Sequence, residues 1–370
     1  MYLAIREMRF AKVRYTLIAT IMLLVSFLVL FVTGLARGLA YDNAASIENM
    51  NATHFIMEKD SNHRFTRSQV GAEVLEKAQT IAGKNNAQPL GVRMATVTTG
   101  GNKLDVTLLA VDPEGWLTPP AVEGNALAEA GAGSVLVDSK LKDSGVRIGS
   151  TLVDQASGMK WTVGGFVSRE SFSHSPAVFL SEHDWQQLQL LSAARSGMAT
   201  DTTYNAIAVK ADKQQAERLA AALPGNEIVA KSEAVSAIPG YKEEQGSLMM
   251  MIVFLFVISA FVLAVFFYVI TIQKSSQFGI LKAIGTRAAY LAGSVALQVL
   301  LLCVGSLTVS VLLVQALEAV LPSGMPFQLP ASTLALTSGA FIAMSLAGSL
   351  LSVWKVNRIN ALDAIGRTAA

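Results

Sequence analysis

The sequence has little charge and a single cysteine, and it lacks a phosphate-binding loop. Charged residues make up 15% of its 370 positions and hydrophobic residues 52%, a balance far from that of soluble domains. The lone Cys303 excludes a disulfide framework and a cysteine-based metal site. No Gly-rich segment ends in Gly-Lys-Ser or Gly-Lys-Thr, the pattern whose backbone amides hold phosphates in nucleotide hydrolases. The composition therefore indicates a membrane protein without a nucleotide site of its own.

Four charge-free apolar runs account for this composition. They are Tyr15–Ala36, Gln245–Gln273, Ala288–Leu317 and Ala319–Trp354. Each is long enough for a transmembrane helix, which needs about 20 apolar residues. The fourth run begins with a segment rich in proline and glycine, 321–330, which favours two full spans over one re-entrant hairpin.

The charges predict an orientation for these spans. Ten Lys and Arg residues lie in the N-terminal tail, in the loop 274–287 and in the C-terminal tail, where only Glu7 and Asp363 oppose them. These segments together carry a formal charge of +8, and the rest of the chain carries −6. By the positive-inside rule, both termini and the loop 274–287 are cytoplasmic, and the long segment after the first span is external.

The external segment alternates strand-like and helical patterns, so we expect an α+β domain rather than a linker. A hairpin is predicted from Val92–Thr98 to Leu104–Ala110 through Gly100-Gly101, and a second one across Ser157-Gly158. Ser181 and Asp212 have the character of helix N-caps. Other predicted elements are the strands Thr53–Glu58, Ala177–Leu180 and Ala206–Lys210 and the helices Val70–Ala82, Ser181–Leu191 and Lys213–Leu223.

The expected fold class is therefore an α+β membrane protein with four transmembrane helices and a large extracytoplasmic α+β domain between the first and the second. The predicted segments are a cytoplasmic N-terminal segment 1–14, a first span 15–41, an external domain 42–246 of two subdomains with an insert near 136–170, a second span 247–273, a cytoplasmic helix 274–287, a third span 288–317, a short external loop 318–330, a fourth span 331–354 and a cytoplasmic tail 355–370.

No catalytic or intrinsic metal site is predicted in this chain. The four histidines, His54, His63, His174 and His183, all fall in the external segment, and no pair has the short fixed spacing of metal ligands. We interpret them as surface or capping residues.

The loop 274–287 has an apolar stripe. Phe278, Leu281 and Ile284 recur at helical spacing, which predicts a short amphipathic helix. Either the membrane surface or a groove on a partner protein would cover such a stripe, and the pattern favours neither.

The segment Phe278-Gly279-Ile280-Leu281-Lys282-Ala283-Ile284-Gly285, directly after the second span, resembles the signature of the FtsX-like, MacB-type permeases of ABC transporters. The C-terminal stretch 359–367 resembles the end of that family. The resemblance implies a non-catalytic subunit whose cytoplasmic helix, residues 278–285, docks on a separate ATPase that binds ATP. It also implies a homodimer in the plasma (inner) membrane, in contact with lipid. Nucleic acid is not an expected partner.

The members of this family carry several classes of cargo. The stretch Ser171–Leu180 is most similar to the heme-exporting (HrtB-like) and DevC-like branch, which makes heme the expected substrate. The alternatives are export of lipoproteins or glycolipids, and FtsX-like transmission of force to cell-wall hydrolases without transport.

The end of the first span offers candidate heme contacts. Gly34 and Gly38 form a small-residue pair that permits close helix approach, so we expect a dimer interface there. In such a dimer, Tyr41 and Glu48 would line a cavity at the outer leaflet. Both are candidate heme contacts, because heme iron accepts tyrosine, histidine and methionine ligands and a carboxylate suits Fe(III). Glu48 is the first candidate ligand, and the alternative is that it is a solvated helix residue. The further candidates are Tyr41, Met50, His54 and Arg37, the last of which would pair with a propionate or with lipid headgroups.

Overall fold

The computed structural model describes residues 10–196, 202–322 and 325–357. Residues 1–9 of the predicted N-terminal segment and 358–370 of the predicted tail, including the stretch 359–367, lie outside this range. The described residues form two compact units, a helical unit within 1–38, 247–322 and 327–370 and a sheet-rich unit within 39–246 and 323–326. Nine helices occur in the described part of the chain: α1 Lys12–Asn49, α2 Ala72–Ala82, α3 Glu182–Ser196, α4 Lys213–Ala222, α5 Lys231–Ser236, α6 Tyr241–Gln273, α7 Ser275–Ala283, α8 Ala288–Glu318 and α9 Ala331–Asn357.

Four of the helices, α1, α6, α8 and α9, are long and apolar enough to cross a membrane. This confirms the four predicted membrane helices with an α+β domain between the first two. The first helix extends further than the span predicted at 15–41, since α1 is continuous over 38 residues and ends only at Asn49. At 1.5 Å per residue its length is about 57 Å.

Polar contacts join α1 to α8 inside the helical unit. Ser26 and Ser310 share a hydrogen bond of 2.6 Å between their hydroxyls, and Ser306 Oγ donates to the carbonyl of Ala19 at 3.0 Å. Both serines of α8 are buried. In an apolar environment such bonds hold helices in one register, because a hydroxyl without a partner there is costly.

Gly34 has an intrachain role. A Cβ atom at this position would lie 2.3 Å from Cζ of Phe327, and the Gly34 carbonyl accepts a hydrogen bond of 3.0 Å from the backbone of Gln328. Gly38 is buried as well. The chain's own segment before α9 therefore fills the space over Gly34, and contact of the glycine pair with a second copy stays a prediction.

The sheet-rich unit contains thirteen strands among the described residues: β1 His54–Glu58, β2 Val70–Gly71, β3 Ala87–Thr99, β4 Asn102–Val111, β5 Glu123–Gly124, β6 Ser134–Asp138, β7 Thr151–Asp154, β8 Lys160–Val167, β9 Ser171–Phe172, β10 Ser175–Ser181, β11 Thr203–Tyr204, β12 Ala206–Val209 and β13 Asn226–Ala230. The order β13-β1-β12-β3-β4-β10-β6-β8-β5 describes the main sheet. Because β7 pairs with both β3 and β8, the strands β3, β4, β10, β6, β8 and β7 close a ring.

The predicted insert near 136–170 forms part of this ring, and the division into two subdomains stays a prediction. The expected insert near 136–170 supplies strands β7 and β8, which pair with β3 and β6 of the same sheet. The ring encloses an apolar core that includes Val97, Leu108 and Trp161. The segment is therefore part of one sheet, because its strands share a core with the strands on either side in sequence.

Local turn and cap predictions are confirmed. Thr99 pairs with Asn102 across Gly100-Gly101, and both glycines have positive φ, as a two-residue hairpin turn requires. The Asp212 side chain accepts a hydrogen bond from the backbone amide of Gln215 at 2.8 Å and so caps α4. The Ser181 hydroxyl likewise accepts a hydrogen bond from the backbone amide of Asp184 and caps α3. Val70–Gly71 forms a short strand instead of the predicted first turn of α2.

Candidate functional site

The last two turns of α1 lie in a cluster of polar side chains within the sheet-rich unit. Asp42 Oδ1 forms an ion pair with Lys140 and accepts a hydrogen bond of 2.9 Å from Ser171. The other members come from α1 itself, from the end of β6 and the turn after it, from the segments around β9 and from the first turn of α6. We call this group the α1-end cluster: Asp42, Asn43, Asn49, Asp138, Lys140, Glu170, Ser171, His174 and Glu244.

His174 joins the two helices that meet in the cluster. Its Nδ1 atom lies 3.5 Å from Asp42 Oδ2 on α1, and its Nε2 atom lies 3.1 Å from Glu244 Oε2 on α6. Asn43 Nδ2 also donates to Glu244, at 2.8 Å. One imidazole ring therefore contacts a carboxylate on each helix.

The turn that carries His174 is strained. Phe172 pairs with Ser175, so Ser173 and His174 form a two-residue hairpin turn, with φ of 51° and 61°. Turns of this kind favour Asn or Gly, because other side chains are costly at positive φ. The Ser173 amide donates to the carbonyl of Asn43 at 2.8 Å, so a contact with α1 offsets part of this strain.

Glu170 and Asp138 are buried carboxyl groups of the cluster. Burial raises the pKa of Glu170 to about 7, even though Asn49 donates a hydrogen bond that opposes the shift. Asn49 Nδ2 lies 3.0 Å from Glu170 Oε1. The backbone amide of Glu170 donates to Asp138 Oδ2 at 2.6 Å, and burial raises the pKa of Asp138 as well.

Two of the predicted heme contacts lie near this cluster. Tyr41 is partly buried, and its hydroxyl donates to Asn49 Oδ1 at 2.7 Å. Glu48 is also partly buried, and its Oε1 atom is 3.5 Å from the hydroxyl of Tyr241. Glu48 follows Tyr41 by seven positions, which is about two helical turns, so both lie on one face of α1.

The other candidates differ in accessibility. Met50 is only 4% exposed and belongs to an apolar core, so the prediction that its sulfur contacts heme is wrong. His54 begins β1, and its Nδ1 atom lies 3.0 Å from Thr53 Oγ1. Arg37 is exposed, which leaves it accessible to propionates or to headgroups.

The predicted cytoplasmic helix is present as α7, but its apolar stripe is divided. Phe278 is 2% exposed and packs on Leu291 and Val295 of α8, and Gly279 is buried as well. Ile280 is 45% exposed and Ile284 77% exposed. The prediction that Phe278 faces a partner is therefore wrong, because α8 already covers it. The accessible residues form the α7 outer face: Gln277, Ile280, Ala283 and Ile284.

Sequence reasoning missed most of the α1-end cluster. Asp42, Lys140, Glu170 and Glu244 lie far apart in the chain, and each is an ordinary surface residue by its local pattern. Ser171 and His174 are the two cluster residues that lie in the segment 171–180, which the sequence analysis singled out. One local feature could have indicated the turn at Ser173-His174. These two residues stand between strand-like residues at the spacing of a two-residue hairpin, although neither is the Asn or Gly usual there.

Comparisons with known proteins agree with this architecture. Residues 249–361 match the family FtsX-like permease C-terminal. Over 366 residues the chain is 31% identical to a protein of Staphylococcus haemolyticus (strain JCSC1435) that bears the name hemin transport system permease protein HrtB, with 99% of each chain covered. It is 23% identical to an uncharacterized ABC transporter permease of Mycobacterium tuberculosis (strain ATCC 25618 / H37Rv), with 98% of this chain and 97% of that one covered.

Among solved structures, the chain is similar to the periplasmic region of MacB from Actinobacillus actinomycetemcomitans. The TM-score is 0.35 at 14% identity, and the match covers 51% of this chain and 94% of that chain.

Proposed function

The chain belongs to the FtsX-like family of ABC transporter permeases, and on this premise we propose that it extrudes hemin, or a similar amphiphile, from the outer leaflet of the plasma membrane. The observation that carries the proposal is the 31% identity over the full length to a permease named for hemin transport. In this proposal the chain is the non-catalytic membrane subunit, and a separate ATPase subunit binds and hydrolyses ATP.

We assign the contact with the ATPase to the α7 outer face. Ile280 and Ile284 are exposed apolar residues one helical turn apart, which is the spacing of anchors that fit a groove on a partner. The ten Lys and Arg residues near α7 and the two termini support a cytoplasmic location for all three segments.

Helix α1 begins within the N-terminal segment and ends in the α1-end cluster. It is helical without a break from Lys12 to Asn49, and it carries Tyr41 and Glu48 near its end. We propose that these two side chains contact the cargo, with Glu48 as a ligand to hemin iron and Arg37 near a propionate. His54 stays a reserve ligand.

A second copy of the chain is expected to pack on α6. Only 11% of the most apolar stretch of this helix is buried, compared with 39% for α1 and for α8. Its exposed residues, such as Phe254, Phe261 and Val265, offer an apolar face to that copy, and lipid covers the remainder.

Hemin binding to the purified permease tests the proposal. We expect a shift of the hemin Soret band on binding, and we expect Glu48→Ala to weaken binding by tenfold or more. Glu76→Ala is the matched control, because Glu76 is an exposed glutamate on α2 and its loss should change nothing. An unchanged Soret spectrum for the wild type, together with stalled lipid-linked proteins in a deletion strain, would favour lipoprotein export instead.

A further inference from the structure

A buried lysine stands at the joint between α6 and α7. Lys274 is the single residue between the two helices, and its side chain is only 4% exposed. Its Nζ atom donates to the hydroxyl of Tyr15 at 2.6 Å and lies 3.5 Å from Gln298 Oε1. Tyr15 in turn donates to Gln298 Oε1 at 2.8 Å. Three side chains from three regions of the chain thus share one hydrogen-bonded group.

The three side chains are all withdrawn from solvent. Tyr15 is 5% exposed and Gln298 is 6% exposed. Burying an ammonium group is costly unless hydrogen bonds replace its hydration, so a structural lysine that served only to end α6 would be expected to point outward. The Lys274 ammonium group instead points inward, where it contacts Tyr15 and Gln298.

The joint adds a polar contact to α6, a helix whose most apolar stretch is little buried. Hydrogen bonds between Ser26 and Ser310 and between Ser306 and Ala19 join α1 to α8, whereas α6 buries only 11% of its most apolar stretch. The Lys274 side chain is therefore a polar connection from the α6–α7 joint to the α1–α8 pair. It reaches α1 within the first turn of that helix, since α1 begins at Lys12.

We propose that Lys274 is a positioning residue that couples α7 to α1, so that displacement of α7 by the ATPase moves α1 as well. This inference rests on the proposed function, because it needs an ATPase that acts on the α7 outer face. The group Lys274, Tyr15 and Gln298, called here the joint triad, would transmit the displacement to the helix that carries Tyr41 and Glu48.

The test uses the permease in complex with its ATPase, and it has two readouts. The first is hemin moved per ATP hydrolysed in proteoliposomes. The second is amide hydrogen exchange in α7 and in residues 15–18 before and after trapping the complex with ATP and vanadate. In the wild type, trapping should change exchange in both segments.

Lys274→Met should keep ATP hydrolysis within about twofold of wild type while hemin moved per ATP falls at least tenfold. Trapping should then change exchange in α7 alone. Lys274→Arg should restore both readouts, because a guanidinium can donate to the same two oxygens. Tyr15→Phe should give an intermediate loss, and it serves as the second variant if Lys274→Met does not fold.

Ser26→Ala is the matched control. It removes a buried hydrogen bond between α1 and α8 but leaves the joint triad intact, so both readouts should match the wild type. The proposal is overturned if trapping changes residues 15–18 in Lys274→Met as it does in the wild type, or if it does not change them in the wild type. A wild type that transmits the exchange change but moves no hemin would refute the cargo and leave the coupling role standing.

Discussion

Replacing Glu170 by glutamine should change how the stability of the sheet-rich unit depends on pH. Burial raises the pKa of Glu170 from an ordinary value near 4.5 to about 7. Between these two values the folded protein holds a proton that the unfolded chain releases. Stability conferred by the neutral form is therefore full below about pH 4.5, falls as the pH rises towards 7, and stays constant above that.

The size of this effect follows from the shift. At 1.36 kcal/mol for each pKa unit, a rise from 4.5 to about 7 corresponds to about 3 kcal/mol of unfolding free energy lost across this range. Asp138 has a raised pKa as well, so the wild-type curve contains more than one titration. The measured quantity is thus the difference between the wild type and Glu170→Gln at each pH.

The assay is urea unfolding of the purified full chain in detergent, followed by tryptophan fluorescence. Three of the four tryptophans, Trp116, Trp161 and Trp185, lie in the sheet-rich unit, and Trp354→Phe removes the signal of the other. We expect the free energy of unfolding of Glu170→Gln to vary with pH by about 3 kcal/mol less than that of the wild type between pH 4.5 and 7. Parallel curves for the two proteins would refute the argument, and Glu76→Gln should give such a parallel curve.

Three further predictions concern the helical unit. Gly34→Ala should lower the free energy of unfolding by about 1–3 kcal/mol, because the new Cβ would overlap Phe327. Gly293 has open space around it, so the control Gly293→Ala should be neutral or stabilising. Thermal unfolding in detergent measures both variants, and equal effects would contradict the contact between Gly34 and Phe327. Ile284→Asp should abolish co-purification of the ATPase with a tagged permease while leaving the melting temperature unchanged. Phe278→Ala should instead destabilise the protein by about 3 kcal/mol or more, because Phe278 is buried against α8. If Ile284→Asp still co-purifies with the ATPase, the α7 outer face is not the docking surface.

The features that the sequence alone determined are those that depend on near neighbours in the chain. The four spans follow from the length of the apolar runs, and all four appear as helices. The hairpin at Gly100-Gly101 and the cap at Asp212 follow from residues within four positions of each other. Turn and cap chemistry is local, so it can be predicted before any tertiary contact is known.

Tertiary structure decided which faces are covered and which polar groups meet. Helical periodicity placed Phe278 and Ile284 on one stripe, but only the position of α8 shows that Phe278 is buried and Ile284 is exposed. Similarly, the sequence predicts Lys274 as an ordinary charged residue of the loop 274–287. Only the fold shows that it contacts Tyr15, which is 259 residues away in the chain. Local pattern carries no information on such a pairing, because the free energy of a buried polar group depends on the donors and acceptors that the fold brings to it.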